Sequence, residues 1–274
     1  MSSSATKATR RFLMIPHLVL ITGPDLRHRY FVNRLNREFS IECVFVEQLP
    51  YPEFNSCAPK DRAAWEWFFH RRDEYEKRAF AESDGWSFKN TPRVIFIPAG
   101  ALNSADTLKS IQAQHPELII LFGTSLIGRA LLDCFPDRIL NLHVGISGKY
   151  RGSSCNFWPI HDSRLDCLGA TLMKINAVID AGEILAQKTI DIEARDTEQT
   201  LMGKTLILGA DLTLRILHQG LERGWTPSPE ERKGKLFLKS EFKPEAIARV
   251  REMVEGGRLR SLIRNHLTGG GAIT

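Results

Sequence analysis

Asn141-Leu142-His143-Val144-Gly145-Ile146-Ser147-Gly148-Lys149-Tyr150-Arg151-Gly152 is the stretch on which the reading of this chain turns. It begins inside a short apolar run, residues 138–143, and passes into a glycine-containing loop. Residues two apart in a strand point to the same side, so Asn141 and His143 project together. They do so at the strand's carboxyl end, where open α/β sheets bind their ligands. An amide beside an imidazole suits acyl transfer. The amide hydrogen-bonds a developing oxyanion, and the imidazole handles the proton of an attacking amine. About forty residues on, Val178-Ile179-Asp180-Ala181-Gly182 places an acid in a loop between two apolar runs. Returned to the same sheet edge, Asp180 would pair with His143 and raise its basicity. Taken singly, Asn141 reads as a loop cap, His143 as a satisfied half-buried side chain and Asp180 as a turn residue. Their order around Tyr150-Arg151-Gly152 is what favours a site.

The surrounding pattern gives the fold class. Apolar runs at 17–21, 42–47, 93–98, 117–123 and 138–143 alternate with amphipathic stretches. That alternation predicts an α/β architecture, a mainly parallel sheet covered by helices. Helices are expected over 61–83, rich in aromatic residues, and over 126–134. Runs at 169–175 and 183–192 extend the sheet in antiparallel or mixed fashion. Asp196 with Gln199 resembles a helix-starting pair, followed by one face of Leu201, Thr205, Leu208, Leu212 and Ile216. Residues 224–229 read as a linker, 235–239 as a short strand and 244–255 as a helix.

Composition narrows the function classes. The chain has 274 residues, 43% of them hydrophobic and 25% charged, which fits a soluble globular protein. Residues 231–274 hold ten Lys/Arg against five Asp/Glu, so this tail carries the whole net charge of +5. The five cysteines (Cys43, Cys57, Cys134, Cys155, Cys167) show no metal or redox spacing, which points to a reducing compartment, the cytoplasm. Lys7, Arg10 and Arg11 precede an apolar run that Pro16 and His17 interrupt, so 1–14 reads as a loose tail and not as a signal peptide. No apolar run approaches the roughly 20 residues that span a bilayer. Gly23 lacks the G-x-G-x-x-G of a dinucleotide site, and neither a phosphate-binding P-loop nor a G-x-S-x-G elbow occurs. His115, His143 and His161 do not have metal-ligand spacing.

Asn141-Leu142-His143, Lys149-Tyr150-Arg151-Gly152 and Ile179-Asp180-Ala181-Gly182 together resemble the folate-dependent formyltransferase superfamily. The likeness runs from about Arg93 to Leu217. It implies a Rossmann-like fold that takes 10-formyltetrahydrofolate as formyl donor, with direct attack of a substrate amine and no metal. By position, Asn141 would stabilise the oxyanion, His143 would move the proton and Asp180 would orient His143. Phe122, Gly123, Thr124, Ser125, Leu126 and Ile127, with Ile179 and Asp180, match the segments that hold the pterin ring. Two departures stand out. Gly145-Ile146-Ser147-Gly148 replaces the usual Ser-Leu-Leu-Pro, which predicts a more mobile loop and a closer approach of the backbone to a ligand, and Met173 stands where many relatives have histidine.

The layout resembles N-formyltransferases acting on nucleotide-linked amino sugars. It divides as a tail (1–14), a catalytic domain (15–223) and a small basic C-terminal α+β subdomain (230–274). Tyr150, Arg151 and Gly152 are then acceptor-site residues. Arg151, with Arg27, His28 and Arg29, is a candidate for the acceptor's diphosphate. The alternatives are an amino-acid-type amine or hydroxylamine, as in a siderophore precursor, and a non-catalytic nucleic-acid-binding module. Against the latter, the tail offers only Phe237 and Phe242 as aromatic partners for bases. The expected partner is a small-molecule amine. No membrane is expected, and the aromatic helix and the tail are the two surfaces for a homodimer.

Overall fold

Strands whose every residue is apolar need cover on both faces, and this chain supplies it. A computed structural model describes residues 17–48, 58–83, 92–175, 182–229 and 234–269. Five parallel strands form the body of the sheet: β1 (Leu18–Thr22), β2 (Ile41–Glu47), β3 (Arg93–Ile97), β4 (Leu118–Phe122) and β5 (Ile139–His143). Beyond β5 the sheet turns antiparallel through β7 (Gly169–Lys174), β8 (Glu183–Thr189) and β9 (Ser228–Pro229). The full order is β3-β2-β1-β4-β5-β7-β8-β9. The remaining strands, β6 (Tyr150–Gly152) and β10 (Lys235–Phe237), form a separate parallel ribbon.

Alternate residues of each strand feed two cores. Leu18, Leu20, Val44, Val46, Ile120, Leu140 and Leu142 pack against Phe31 and Leu35 of α1 (Leu26–Asn36) and Leu206, Ala210 and Leu214 of α6 (Glu198–Arg223). Val19, Ile21, Phe45, Ile119, Leu121 and Ile139 pack on the other face, against Ile111 of α3 (Ala105–Gln112) and Leu131 of α4 (Arg129–Cys134). The continuous apolar runs follow from this double burial.

A third core lies beside the sheet. Trp65 and Phe68 of α2 (Pro59–Ala79) meet Trp158 of α5 (Trp158–His161), the adjoining Phe157, and Tyr150. Phe237 of β10, Ile247 and Val250 of α7 (Pro244–Glu255), and Leu259 and Ile263 of α8 (Arg258–Leu267) complete it. Trp65 and Phe68 of α2 therefore pack inward onto Phe242 of the C-terminal segment, whereas Tyr75 joins the first core. Across the α2–α6 boundary, fully buried Glu198 accepts from Arg71 at 2.5 and 3.0 Å.

The structure moves several expected boundaries. Residues 124–128 are not helical, because Asn103 holds them as a loop: its Nδ2 donates to the Leu126 carbonyl at 2.8 Å and its Oδ1 accepts from the Gly128 amide at 2.6 Å. α6 is capped one residue later than expected, by a reciprocal Thr197–Thr200 pair. Asp196 instead accepts from the Glu193 amide and Lys204 Nζ, both at 2.7 Å. The expected linker contributes β9 to the sheet edge, and α8 adds a helix that the sequence reading lacked. Among the described residues, no helix is long and apolar enough to cross a membrane.

Gly152 is the tightest joint between the ribbon strands. Its φ is +84°, and a Cβ there would lie 2.2 Å from the Phe237 carbonyl oxygen. Gly100 shares a positive φ of +76° with nothing within 4 Å. Gly100→Ala should cost only the left-handed penalty of about 1–2 kcal/mol. Gly152→Ala should lower the urea midpoint further, because the strands must also separate. Equal midpoints for the two variants would contradict this packing.

Candidate active site

Asn141 and His143 leave β5 on the face opposite Leu140 and Leu142, and both are half-buried. Asn141 lies in register with Leu121 on one side and Met173 on the other, and His143 with Thr171. The expectation that the amide and the imidazole share one side of the strand is met by the pleat alone.

The loop after His143 is held tightly, contrary to the mobility its two glycines suggested. Fully buried Thr171 donates through Oγ1 to the Gly145 carbonyl at 2.7 Å and accepts from the Ser147 amide at 3.3 Å. Gln187 Nε2 donates to Thr171 Oγ1 at 2.9 Å and to Ser147 Oγ at 3.2 Å. A Cβ on Gly145 would lie 2.7 Å from both His143 Nε2 and Cys155 Cβ, so the backbone crosses directly over the imidazole.

His143 Nε2 lies 2.9 Å from the Tyr150 carbonyl. A carbonyl only accepts, so Nε2 carries the proton and a neutral ring leaves Nδ1 with its lone pair. Burial holds this imidazole below the ordinary histidine range, and the Tyr150 carbonyl acts in the opposite direction. The result is a neutral base of defined tautomer.

Around this pair the other expected residues divide. Phe122 ends β4 inside the core, its ring 5.0 Å from His28 and 5.1 Å from Phe31. Gly123, Thr124, Ser125, Leu126 and Ile127 form the loop at the carboxyl edge of the sheet, where Leu126 is 81% exposed. Ser125 anchors that loop: its amide and hydroxyl donate to the two oxygens of fully buried Glu47 at 2.8 and 2.6 Å. Glu47 went unread in the sequence, and its one signal is an acid that directly follows the apolar run Cys43–Val46. Tyr150 is buried with its ring in the third core and its hydroxyl donating to Asp162 at 3.2 Å. Burial pushes that phenol well above its ordinary value. Arg151 is half-buried on β6.

Ile179 and Asp180 lie outside the described residues. Only their flanks are described. On the preceding side, the Ile175 amide donates to the Ile139 carbonyl at 2.9 Å. Gly182, where the described chain resumes, packs against Met173, the neighbour of Asn141.

His28 corrects the expectation of a cation for a diphosphate. It is 3% exposed, its Nδ1 accepts from the Asp25 amide at 3.1 Å, and burial, followed by Arg27, lowers its pKa to about 3. Arg27 is engaged by Asp25 and Glu76. Among the described residues, no cluster of three His, Cys, Asp or Glu side chains is placed to hold a metal ion.

Known proteins are similar to this chain in sequence and fold. A family model described as formyl transferase matches residues 71–217, more than half of the chain. The methionyl-tRNA formyltransferase of Akkermansia muciniphila is 28% identical over 142 residues, covering 50% of this chain and 45% of that protein. The chain therefore spans less than half the length of this relative. The solved sugar N-formyltransferase of Shewanella sp FDAARGOS_354 matches with a TM-score of 0.53 at 18% identity, over 82% of this chain and 78% of that one. The N-formyltransferase of Helicobacter canadensis, solved with folinic acid and dTDP-3-aminofucose, matches with a TM-score of 0.53 at 15% identity, over 87% and 80%. At such identities the solved structures establish the fold.

His28 gives the site a pH signature. Its native pKa is depressed, so the unfolded chain binds the proton first and stability falls as pH drops below about 6.5, toward about 3. At pH 4.5 the loss attributable to this group should be about 2–3 kcal/mol. Urea unfolding of the wild type and of His28→Gln between pH 7 and 4.5 measures it. The variant should show the shallower decline, and parallel declines would contradict a neutral buried His28.

Proposed function

Because the chain belongs to the formyl transferase family, we propose that it transfers the formyl group of 10-formyltetrahydrofolate to a primary amine of a small acceptor. The observation that carries this reading is the Asn141–His143 pair on one strand face, with the histidine pinned at Nε2 and basic at Nδ1. As the amine nitrogen bonds to the formyl carbon, the Asn141 amide donates to the oxygen that gains charge. His143 Nδ1 accepts the amine proton and returns it to the nitrogen of the folate from which the formyl carbon separates. By the likeness of Ile179-Asp180-Ala181-Gly182 to the family pattern, Asp180 would orient the imidazolium while it carries that proton. The Gly123–Ile127 loop, braced by Glu47, receives the pterin, and exposed Leu126 offers it an apolar contact. Residues fixed in this way suit a donor that must be aligned before attack, since orientation supplies a large share of such rate enhancements.

The acceptor that best fits is a nucleotide-linked amino sugar. The Helicobacter canadensis structure holds dTDP-3-aminofucose on the same fold, and Arg151 on β6 is the guanidinium for a diphosphate. Arg27 and His28 drop out of that role because one is ion-paired and the other neutral.

Purified protein should consume 10-formyltetrahydrofolate only when an acceptor is present. A panel of amino-sugar nucleotides, amino acids, hydroxylamines and methionyl-tRNA tests the acceptor class, and the amino-sugar nucleotides should give the turnover. His143→Ala should lower turnover by about 10²–10⁴ and Asn141→Ala by about 10²–10³. Undiminished turnover in His143→Ala would remove it as the base.

A further inference from the structure

We propose that Phe237, in the C-terminal segment, is a positioning residue for His143 and acts through the strand Tyr150–Gly152. The proposal rests on the reading of His143 as the base. It begins from the topology: β6 belongs to a two-stranded sheet with β10 and not to the eight-stranded one. In that ribbon Lys235, Leu236 and Phe237 pair in register with Tyr150, Arg151 and Gly152. Just beyond it, the Ser153 amide donates to the Phe237 carbonyl at 2.9 Å. Among the described residues, the C-terminal segment is therefore the only ladder partner of the strand that carries the Tyr150 carbonyl.

Side chains lock the same joint. Phe237 is 2% exposed, and its ring lies between Tyr150 (centroids 5.6 Å apart, planes 14°) and Trp158 (4.5 Å, 16°). Trp158 Nε1 donates to the Ser153 carbonyl at 3.0 Å, which ties the far side of the sandwich to the end of β6. The Tyr150 hydroxyl is tethered to Asp162. Tyr150 is thus held by its ring and its backbone at once. Its carbonyl, 2.9 Å from His143 Nε2, selects the tautomer that leaves Nδ1 basic. Removing the Phe237 ring frees the Tyr150 ring on one face and loosens the ribbon beneath it. The Tyr150 carbonyl then no longer has one fixed position, and His143 loses the contact that assigns its proton. The Gly123–Ile127 loop is braced by Glu47 and Asn103, both outside the ribbon. Donor binding should therefore survive a change that disables the base.

Nitrogen NMR of imidazole-labelled protein reads this directly, without any substrate. In the wild type His143 should show a protonated Nε2 and a bare Nδ1. In Phe237→Ala its signals should move toward a mixture of the two tautomers. His28, fixed through Nδ1 by the Asp25 amide, should keep its own signals and so report that the fold is intact. Should Phe237→Ala lose the His28 signals, Phe237→Leu, which keeps an apolar side chain and the ladder, carries the same test. With an acceptor in hand, kcat should fall by about 10²-fold, the scale of a misplacement near 1 Å. KM for 10-formyltetrahydrofolate should stay within about threefold. An unaltered His143 tautomer in a folded variant overturns the proposal, as does a kcat equal to that of the wild type. A wild-type protein with the stated tautomer and no activity on any amine would instead overturn the formyl-transfer reading and leave the coupling between Phe237 and His143 standing.

Discussion

One hydrogen bond, from His143 Nε2 to the Tyr150 carbonyl, joins the two sheets of this protein. On one side stands the eight-stranded sheet with its two helical cores. On the other stands the short β6–β10 ribbon, rooted in the third core with α2, α7 and α8. The bond matters because a histidine at the end of a strand is otherwise free in its choice of tautomer. Backbone carbonyls accept and never donate, so the contact converts a flexible acid–base group into one with a set direction. Partial burial then keeps the ring neutral, the state in which it accepts a proton.

The other loops of the site are fixed by the same means, a buried polar group bonded to backbone. Glu47 holds Ser125, Thr171 holds Gly145 and Ser147, and Asn103 holds Leu126 and Gly128. Each anchor is far in sequence from the loop it holds. Each loop thereby remains ordered without a regular secondary structure of its own, which is what positioning a donor and an acceptor against one another requires. The replacement Gly145-Ile146-Ser147-Gly148 belongs to this scheme. Thr171 and Gln187 supply the restraint, and Gly145 leaves room for the imidazole beneath it.

The legible parts of the structure were those determined by local pattern. Stretches such as Leu18–Ile21 and Leu118–Phe122 are buried on both faces and so appear as unbroken apolar runs. Asn141 and His143 share a face because the strand period is two. The rest depends on contacts that sequence spacing does not reveal. Glu47 and Ser125 are 78 residues apart. β6 finds its partner at the other end of the chain, and nothing local in Tyr150-Arg151-Gly152 specifies Lys235–Phe237. His28 reads as a cation beside Arg27 until its burial is known. Asp196 and Thr197 both suit a helix start, and backbone geometry chose the second. α8 escaped notice because arginines interrupt its few apolar positions, Leu259, Leu262 and Ile263.

The basic C-terminal segment also changes meaning. Its charge first suggested nucleic acid, yet its apolar residues Phe237, Ile247, Val250, Leu259 and Ile263 share one core with Tyr150 and Trp158. The charged residues of α8 occupy its exposed side because the opposite side is committed to that core. The central claim, direct formyl transfer between two bound substrates, is tested most directly by following the carbon itself. Protein supplied with 10-formyltetrahydrofolate labelled with carbon-13 in the formyl group, together with an amino-sugar nucleotide, should place the label in a formamide on the sugar. One formamide should form for each tetrahydrofolate released, and label recovered as free formate would contradict the account.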